Sequence, residues 1–206
     1  MAKYRKRLYR RKRRFNRRYT RKRPVGSSPG AIRFFKLRRA YDILLPAGGQ
    51  NLNSYIDNNP NQAQDWANVA GLFEMYRVAG IKLTFVPSGN VNSIPVNVPV
   101  NNSRFRPVYL ALDTNDQLPS VSVNSIVQYE NLKIKNTFSM WSVYYKMKRR
   151  LPFATTAAMS TSGYTSCQAP VATQGIIALF EGQQSQSQTD LGKMIVTMYV
   201  CARNRH

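Results

Sequence analysis

The sequence contains few acids, few cysteines and almost no histidine. Its 206 residues include 9 Asp and Glu, 2 Cys and 1 His, against 31 Lys and Arg. Cys167 and Cys201 are too few for a disulfide framework, and with His206 alone they cannot complete a structural zinc site. Both cysteines are therefore expected to be reduced thiols, and no metal is expected. The longest apolar run, from Met194 to Ala202, is much shorter than the roughly 18 residues of a membrane span. Because no apolar segment follows the basic N-terminus either, we expect neither membrane insertion nor a secretory signal.

The residues that support catalysis are also scarce. His206 ends the sequence without an evident base partner, neither cysteine has a neighbouring histidine, and the acids are scattered without a recognisable catalytic pairing. Gly80 and Gly89 lack the glycine and lysine spacing of a phosphate-binding loop. The sequence therefore predicts a protein that is not an enzyme and needs no cofactor.

One acidic turn could suggest a calcium site. Asp113, Asn115 and Asp116 offer oxygen ligands close together in the chain. Three such groups are few for calcium, which takes six to eight oxygens. A turn closed by Asp and Asn side chains is the favoured interpretation.

Positive charge is concentrated at the N-terminus. The formal net charge is +22, and residues 1–24 supply +14 of it without a single acid. Their cations are Arg5, Arg7, Arg10, Arg11, Arg13, Arg14, Arg17, Arg18, Arg21, Arg23, Lys3, Lys6, Lys12 and Lys22. Four more follow at Arg33, Lys36, Arg38 and Arg39, which leaves residues 40–206 with 13 basic and 9 acidic groups. Since a like-charged block cannot fold on itself cheaply, residues 1–30 should form an arm and a Pro/Gly/Ser hinge that stay disordered until an anion binds.

Aromatic residues interrupt the arginines of this arm, at Tyr4, Tyr9, Phe15 and Tyr19. Aromatic rings and guanidinium planes both stack on unpaired bases, whereas a purely electrostatic tail could use lysine alone. We therefore predict that the arm cations, together with Tyr9, Phe15 and Tyr19, bind nucleic acid without sequence specificity. Arg33, Lys36, Arg38 and Arg39 are the first candidates for nucleic-acid contacts from the folded body, with an ordinary polar strand face as the alternative.

The arm has a second possible role. The run Arg10, Arg11, Lys12, Arg13 and Arg14 also fits a nuclear import signal read by host import receptors. Import and nucleic-acid binding are compatible, because they can occur at different times.

The body has the period-two alternation of β-strands. Phe35 to Leu45 alternates apolar and polar residues, with Arg39 as the exception on the apolar side. Further strands are predicted at 79–85, 108–112, 132–138, 141–147, 175–180 and 193–201. The last strand is apolar on both faces and should be central in its sheet. Residues 53–63 are Asn-rich and turn-like, and Asp65 to Tyr76 could form a short helix with Trp66, Val69, Leu72, Phe73 and Tyr76 on one face.

About eight strands with long connections favour an all-β, two-sheet jelly roll. The long connections are 46–76, 87–106, 113–131 and 150–172, and loops of this length usually have a function. The division is therefore an arm and hinge over residues 1–30 and a jelly-roll domain over residues 31–206.

Four segments carry motifs that occur together, in this order, in one known family. Residues 73–87, FEMYRVAGIKLTFVP, follow the pattern F-x-x-Y-[RK]-[IV]-x-x-[VI]-K-[VL]-x-F-x-P, and VYLALDTND at 108–116, NTFSMWSVYY at 136–145 and MIVTMYVCAR at 194–203 come after it. In these segments and their order the sequence resembles the capsid proteins of circoviruses and related small circular single-stranded DNA viruses.

The resemblance implies a jelly-roll subunit that assembles into a small icosahedral shell, with the arm inside on a packaged circular single-stranded DNA genome. It also implies location in the virion and in the host nucleus during assembly. The basic cluster Lys146, Lys148, Arg149 and Arg150 would contact the genome if it faces inward, or a sulfated cell-surface polysaccharide if it faces outward. A non-capsid nucleic-acid-binding protein of ribosomal or chromatin type is the alternative function.

Overall fold

The computed structural model describes residues 31–88, 107–114, 122–148, 163–182 and 188–205. Several predictions concern residues outside these ranges. They are the disordered arm and hinge at residues 1–30, the Asn115 and Asp116 part of the acidic turn, and Arg149 and Arg150 of the second basic cluster.

The described residues are organised mainly as strands. In chain order the elements are β1 (Arg33–Leu45), β2 (Leu52–Asp57), α1 (Trp66–Ala70), β3 (Phe73–Pro87), β4 (Pro107–Asp113), α2 (Val123–Ile126), β5 (Lys133–Asn136), β6 (Trp141–Lys146), β7 (Thr165–Ser166), β8 (Gly175–Phe180) and β9 (Thr189–Arg205). A 3-10 turn, Pro60–Gln62, precedes α1.

The strands form two antiparallel sheets packed face to face. The first sheet has the order β1-β9-β3-β6, with the two-residue β7 also paired to β3, and the second has the order β2-β8-β4-β5. Consecutive strands of the chain therefore often lie in different sheets, as in a jelly roll. The predicted all-β, two-sheet jelly roll is confirmed, and within the described residues β2 and β7 are the strands that the sequence analysis did not predict.

The core lies between the sheets and follows the predicted alternation. Leu37, Ile43 and Leu45 of β1 point inward and are buried, and β9 pairs with β1 on one side and β3 on the other. The central position predicted for the last strand is confirmed. Phe85 lies at the centre of the core: its ring is 5.4 Å from Trp141 in the same sheet and 6.4 Å from Phe180 in the other.

The second sheet is also covered on its outer side. Ile126 of α2 is fully buried against Ala111 of β4 and against Ile177 and Leu179 of β8. Strands β4 and β8 consequently bury both of their faces, which explains why their sequences are almost continuously apolar. Among the described residues, no comparable helix packs on the outer side of the first sheet.

Two sequence predictions between β1 and β3 are only partly correct. The segment predicted to be turn-like contains β2, a short edge strand that hydrogen-bonds to β8, because pairing overrides its poor strand propensity. The predicted helix 65–76 ends at Ala70, and Phe73 and Tyr76 instead begin β3, where pairing with β9 supplies their backbone hydrogen bonds. Both aromatic residues are buried as expected, but Leu72 is exposed.

The predicted strand 132–138 is shorter and is oriented differently. β5 pairs with the edge of β4, and its Ile134 is 56 % exposed. Lys133 instead extends toward the first sheet, where its ammonium lies 4.3 Å from the ring centroid of Tyr145 and donates to the carbonyl of Tyr144. An edge strand can invert its expected phase in this way because little is buried on either of its faces.

Truncation of Phe85 tests the phase of β3. Phe85→Ala should lower the free energy of unfolding by about 3–5 kcal/mol, because it removes a fully buried ring that contacts both sheets. The control is the variant of the neighbouring residue, Thr84→Ala. It should lower the free energy of unfolding by only about 0.5 kcal/mol, because Thr84 points outward. Urea denaturation of both variants at one protein concentration makes the comparison. Equal losses would show that the strand phase is wrong.

Candidate functional site

The outer side of the first sheet is a surface built from four strands, which we call the open face. Cross-strand pairing brings its members into rows, because alternate residues of neighbouring strands point to the same side. The members are Phe34, Lys36, Arg38, Ala40 and Asp42 of β1; Lys193, Ile195, Thr197, Tyr199 and Cys201 of β9; Arg77, Gly80, Lys82, Thr84 and Val86 of β3; and Ser142, Tyr144 and Lys146 of β6.

The open face carries six cations and one acid. The cations are Lys36, Arg38, Arg77, Lys82, Lys146 and Lys193, and the acid is Asp42. Asp42 lies 3.3 Å from Lys193 in an exposed ion pair, and such pairs contribute little to stability. Asp190 lies beyond this area, opposite Leu44. The remaining excess of positive charge produces a potential that attracts polyanions.

Two tyrosines lie among these cations. Tyr199 of β9 is in register with Lys36 on one side and Gly80 on the other, and the Lys36 ammonium is 5.8 Å from its ring centroid. Tyr144 of β6 contacts Tyr199 edge to face, with the centroids 5.8 Å apart and the rings inclined by 74°. The open face therefore combines cations with aromatic rings, as the N-terminal arm does in sequence.

The four cations predicted to be the first body contacts are separated by the pleat of β1. Lys36 and Arg38 lie on the open face, and Arg33 is exposed at the start of the strand opposite Ala202. Arg39 points to the opposite side, where its guanidinium lies 3.3 Å from the Asp57 carboxylate and also donates to the side-chain oxygen of Gln62. Whether any of the four contacts nucleic acid stays a prediction.

Arg39 connects the two sheets. It belongs to β1, whereas Asp57 ends β2 in the second sheet, and the two side chains are only 11 % and 28 % exposed. A second polar link joins the sheets where the Tyr145 hydroxyl of β6 donates to the Leu110 carbonyl of β4 at 2.9 Å. Burial raises the pKa of Tyr145, so its hydroxyl remains a donor across the neutral range.

The second basic cluster is divided as well. Lys146 lies on the open face in register with Gly80. Lys148 is exposed two residues beyond the end of β6, where its backbone exchanges two hydrogen bonds with the Gln174 side chain. Lys82 and Lys193 join the same surface, although the sequence analysis did not select them. The available signal was their alternation with buried neighbours, such as Ile81 and Leu83 on either side of Lys82.

One margin of the open face is covered by Tyr164. The guanidinium carbons of Arg77 and Arg203 lie 5.2 and 4.3 Å from its ring centroid, which is within cation–π range. Beneath them Cys201 is buried, and Arg77 approaches its sulfur at 3.9 Å. Both cysteines are free thiols, as expected, and burial raises the pKa of Cys167 to about 11. Cys167 therefore stays protonated in the neutral range, and both buried thiols act as packing groups.

The described residues contain little else that suggests a chemical site. Within them, no group of three or more His, Cys, Asp and Glu side chains is placed to hold a metal ion. None of their helices has the length and apolar character needed to cross a membrane. A groove of about 490 Å³ beside α1 is lined mainly by amide and small side chains, together with Trp66, Cys167 and Pro170.

Comparison with protein-family models identifies one family. The family model described as circovirus capsid protein matches residues 2–206. No curated protein sequence matches the chain.

Solved structures share the fold at low sequence identity. The BFDV capsid protein in a 60-mer superposes with a TM-score of 0.59 at 16 % identity, covering 86 % of this chain and 96 % of that one. The decameric form of the BFDV capsid protein gives 0.58 at 14 % identity, covering 84 % and 100 %. Tobacco necrosis virus gives 0.54 at 12 % identity, covering 84 % and 97 %.

The neighbours Arg38 and Arg39 provide a test of the face assignment. Arg39→Gln should lower the free energy of unfolding by about 1–3 kcal/mol, because it leaves the partly buried Asp57 carboxylate without its cation. Arg38→Gln should change it by no more than about 0.5 kcal/mol, because Arg38 is exposed on the open face. Thermal or urea unfolding measures both. A larger loss for Arg38→Gln would contradict the orientation of β1.

Proposed function

Because the chain belongs to the circovirus capsid protein family, we propose that its copies assemble into a small icosahedral shell that packages a circular single-stranded DNA genome. The observation that carries the packaging part is the open face, with six cations and one acid on a sheet that α1 and α2 leave uncovered. A polyanion is the ligand that such a surface attracts most strongly.

The position of β1 supports a joint action of the arm and the open face. Residues 1–24 carry fourteen cations, and the predicted hinge at residues 24–30 precedes β1, which begins at Arg33. Lys36 and Arg38 lie only a few residues beyond this hinge, on the open face. A polymer held by the arm therefore has a continuous path onto the folded domain, with Lys82 and Lys146 further across the sheet.

Packaging and assembly should be thermodynamically coupled. A closed shell brings many copies of the +14 arm into one cavity, where their mutual repulsion opposes closure. A polyanion that binds the assembled form better than the free subunit shifts the equilibrium toward the shell. The BFDV capsid protein forms a 60-mer, which supports a closed homo-oligomer for this chain as well.

One part of the arm fits a second role, in nuclear import. The run Arg10 to Arg14 would be read by host import receptors, which would bring the protein to the nucleus for assembly before it enters the virion.

Lys146 shares the open face with Lys36 and Arg38, and this supports genome contact for Lys146 over binding of a sulfated polysaccharide. A ribosomal or chromatin-type protein is the weaker alternative, because the family match spans residues 2–206.

Electron microscopy of the purified full chain tests the assembly. We expect uniform closed particles whose extracted nucleic acid is degraded by single-strand-specific nuclease. Deletion of residues 2–24 should leave the domain folded, as judged by circular dichroism, but remove most of the retained nucleic acid. A monomer or dimer at all protein and salt concentrations would contradict the shell, and unchanged retention after the deletion would place binding outside the arm.

The salt dependence of oligonucleotide binding tests the contribution of the open face. Lys82→Gln should reduce the slope of log K against log salt by about 0.7, the value for one phosphate contact on a single strand. Lys135→Gln is the matched control, because Lys135 lies on β5 at the edge of the second sheet and should leave the slope unchanged. Equal slopes for the two variants and the unmodified chain would remove Lys82 from the interface.

A further inference from the structure

The open face has more exposed aromatic surface than charge attraction alone requires. Tyr144 is 49 % exposed and Phe34 is 78 % exposed, although both lie on a sheet surface among cations. A contact made only with phosphates would use the cations and leave these rings without a role. The exposed rings therefore point to a second kind of contact with the ligand.

The ring of Tyr144 is held along the sheet. Its phenol end covers Gly80 of the neighbouring strand, where a Cβ atom at position 80 would lie only 2.1 Å from the Tyr144 hydroxyl oxygen. Glycine at this position thus allows the ring to lie across β3 instead of projecting from β6. One side of the ring packs on the sheet and on Tyr199, while half of the side chain remains accessible.

Cations surround this ring in a regular arrangement. Lys82 is in register with Tyr144, and Lys146 is in register with Gly80. On the other side of Tyr199, the Lys36 ammonium lies 5.8 Å from the centroid of the Tyr199 ring. Neighbouring strands are about 5 Å apart, and residues on the same face of one strand are about 7 Å apart. The cations therefore lie about 5–7 Å along the sheet from the rings.

We propose that Tyr144 and Tyr199 form a stacking site for unpaired bases, and that Lys36, Lys82 and Lys146 hold the adjacent phosphates. This inference rests on the proposed packaging function and specifies which chemical part of the nucleic acid the domain contacts. In a duplex the bases are already paired and stacked, so they cannot reach these rings without disruption. The folded domain itself therefore favours single-stranded over duplex nucleic acid, in addition to any preference of the arm.

The test compares Tyr144→Leu with Tyr144→Phe in the full chain. Phenylalanine retains the aromatic face, whereas leucine retains apolar bulk without it. The probes are an oligodeoxythymidine, an abasic oligonucleotide with the same number of phosphates, and a duplex. We expect Tyr144→Leu to weaken binding of oligodeoxythymidine about five-fold or more, and Tyr144→Phe to bind like the unmodified chain. Binding of the abasic probe and of the duplex should be the same for all three proteins.

The remaining outcomes separate this inference from the proposed function. If the unmodified chain binds none of the probes, the packaging function fails. If it binds them and Tyr144→Leu binds equally well, or weakens all three probes alike, the stacking site is wrong. If Tyr144→Leu abolishes particles but leaves binding per subunit unchanged, the ring is a contact between copies, and the stacking site is again wrong.

Photo-cross-linking provides a measurement that needs no variant to fold. Particles or subunits of the unmodified chain are irradiated with an oligonucleotide that contains bromodeoxyuridine, and the cross-linked peptides are identified by mass spectrometry. Cross-links at Tyr144 or Tyr199 are expected, in addition to cross-links in the arm. Cross-links confined to residues 1–24 would overturn the proposal.

Discussion

Burial of alternate residues of β1, β9, β3 and β6 against the second sheet is the constraint on which the other features depend. Inward residues such as Leu37, Phe85 and Met198 form the core, so their neighbours must point to the other side of the sheet. In the second sheet α2 packs on the outer side of β4 and β8, whereas no helix of the described residues packs on the outer side of the first sheet. The asymmetry leaves one broad surface available for charge, and six cations of the described residues occupy it.

The same alternation gives adjacent residues different roles. Arg38 and Arg39 are the same residue type and are adjacent in the sequence. Arg38 lies on the open face, whereas Arg39 joins the two sheets through Asp57. A cation facing the core is tolerated because it has a carboxylate partner and an amide partner there. Outward cations are tolerated without a buried partner, because solvent screens their charge. The number of cations in a segment is therefore larger than the number that can bind an external polyanion.

The fold was predictable wherever the hydrophobic pattern was long and regular. β1, β3 from residue 79 onward, β6, β8 and β9 follow the alternation or the continuous apolar run, because burial dominates their energetics. The pattern failed at β2 and at the start of β3. In both places pairing with β8 or β9 imposed a strand on residues whose local preference was a turn or a helix. The candidate site was predictable for Lys36 and Arg38, but not for Tyr144 or Tyr199.

The sequence by itself determined that the chain has a cationic arm, a β-rich body and resemblance to one capsid family, because net charge, period and motif order are properties of the linear chain. Only the tertiary structure decided which side chains meet. Alternation assigns a residue to a face of its strand, but it does not say which strand lies beside it. β9 comes last in the chain and inserts between β1 and β3, and this insertion brings Tyr199 next to Lys36, Gly80 and the ring of Tyr144.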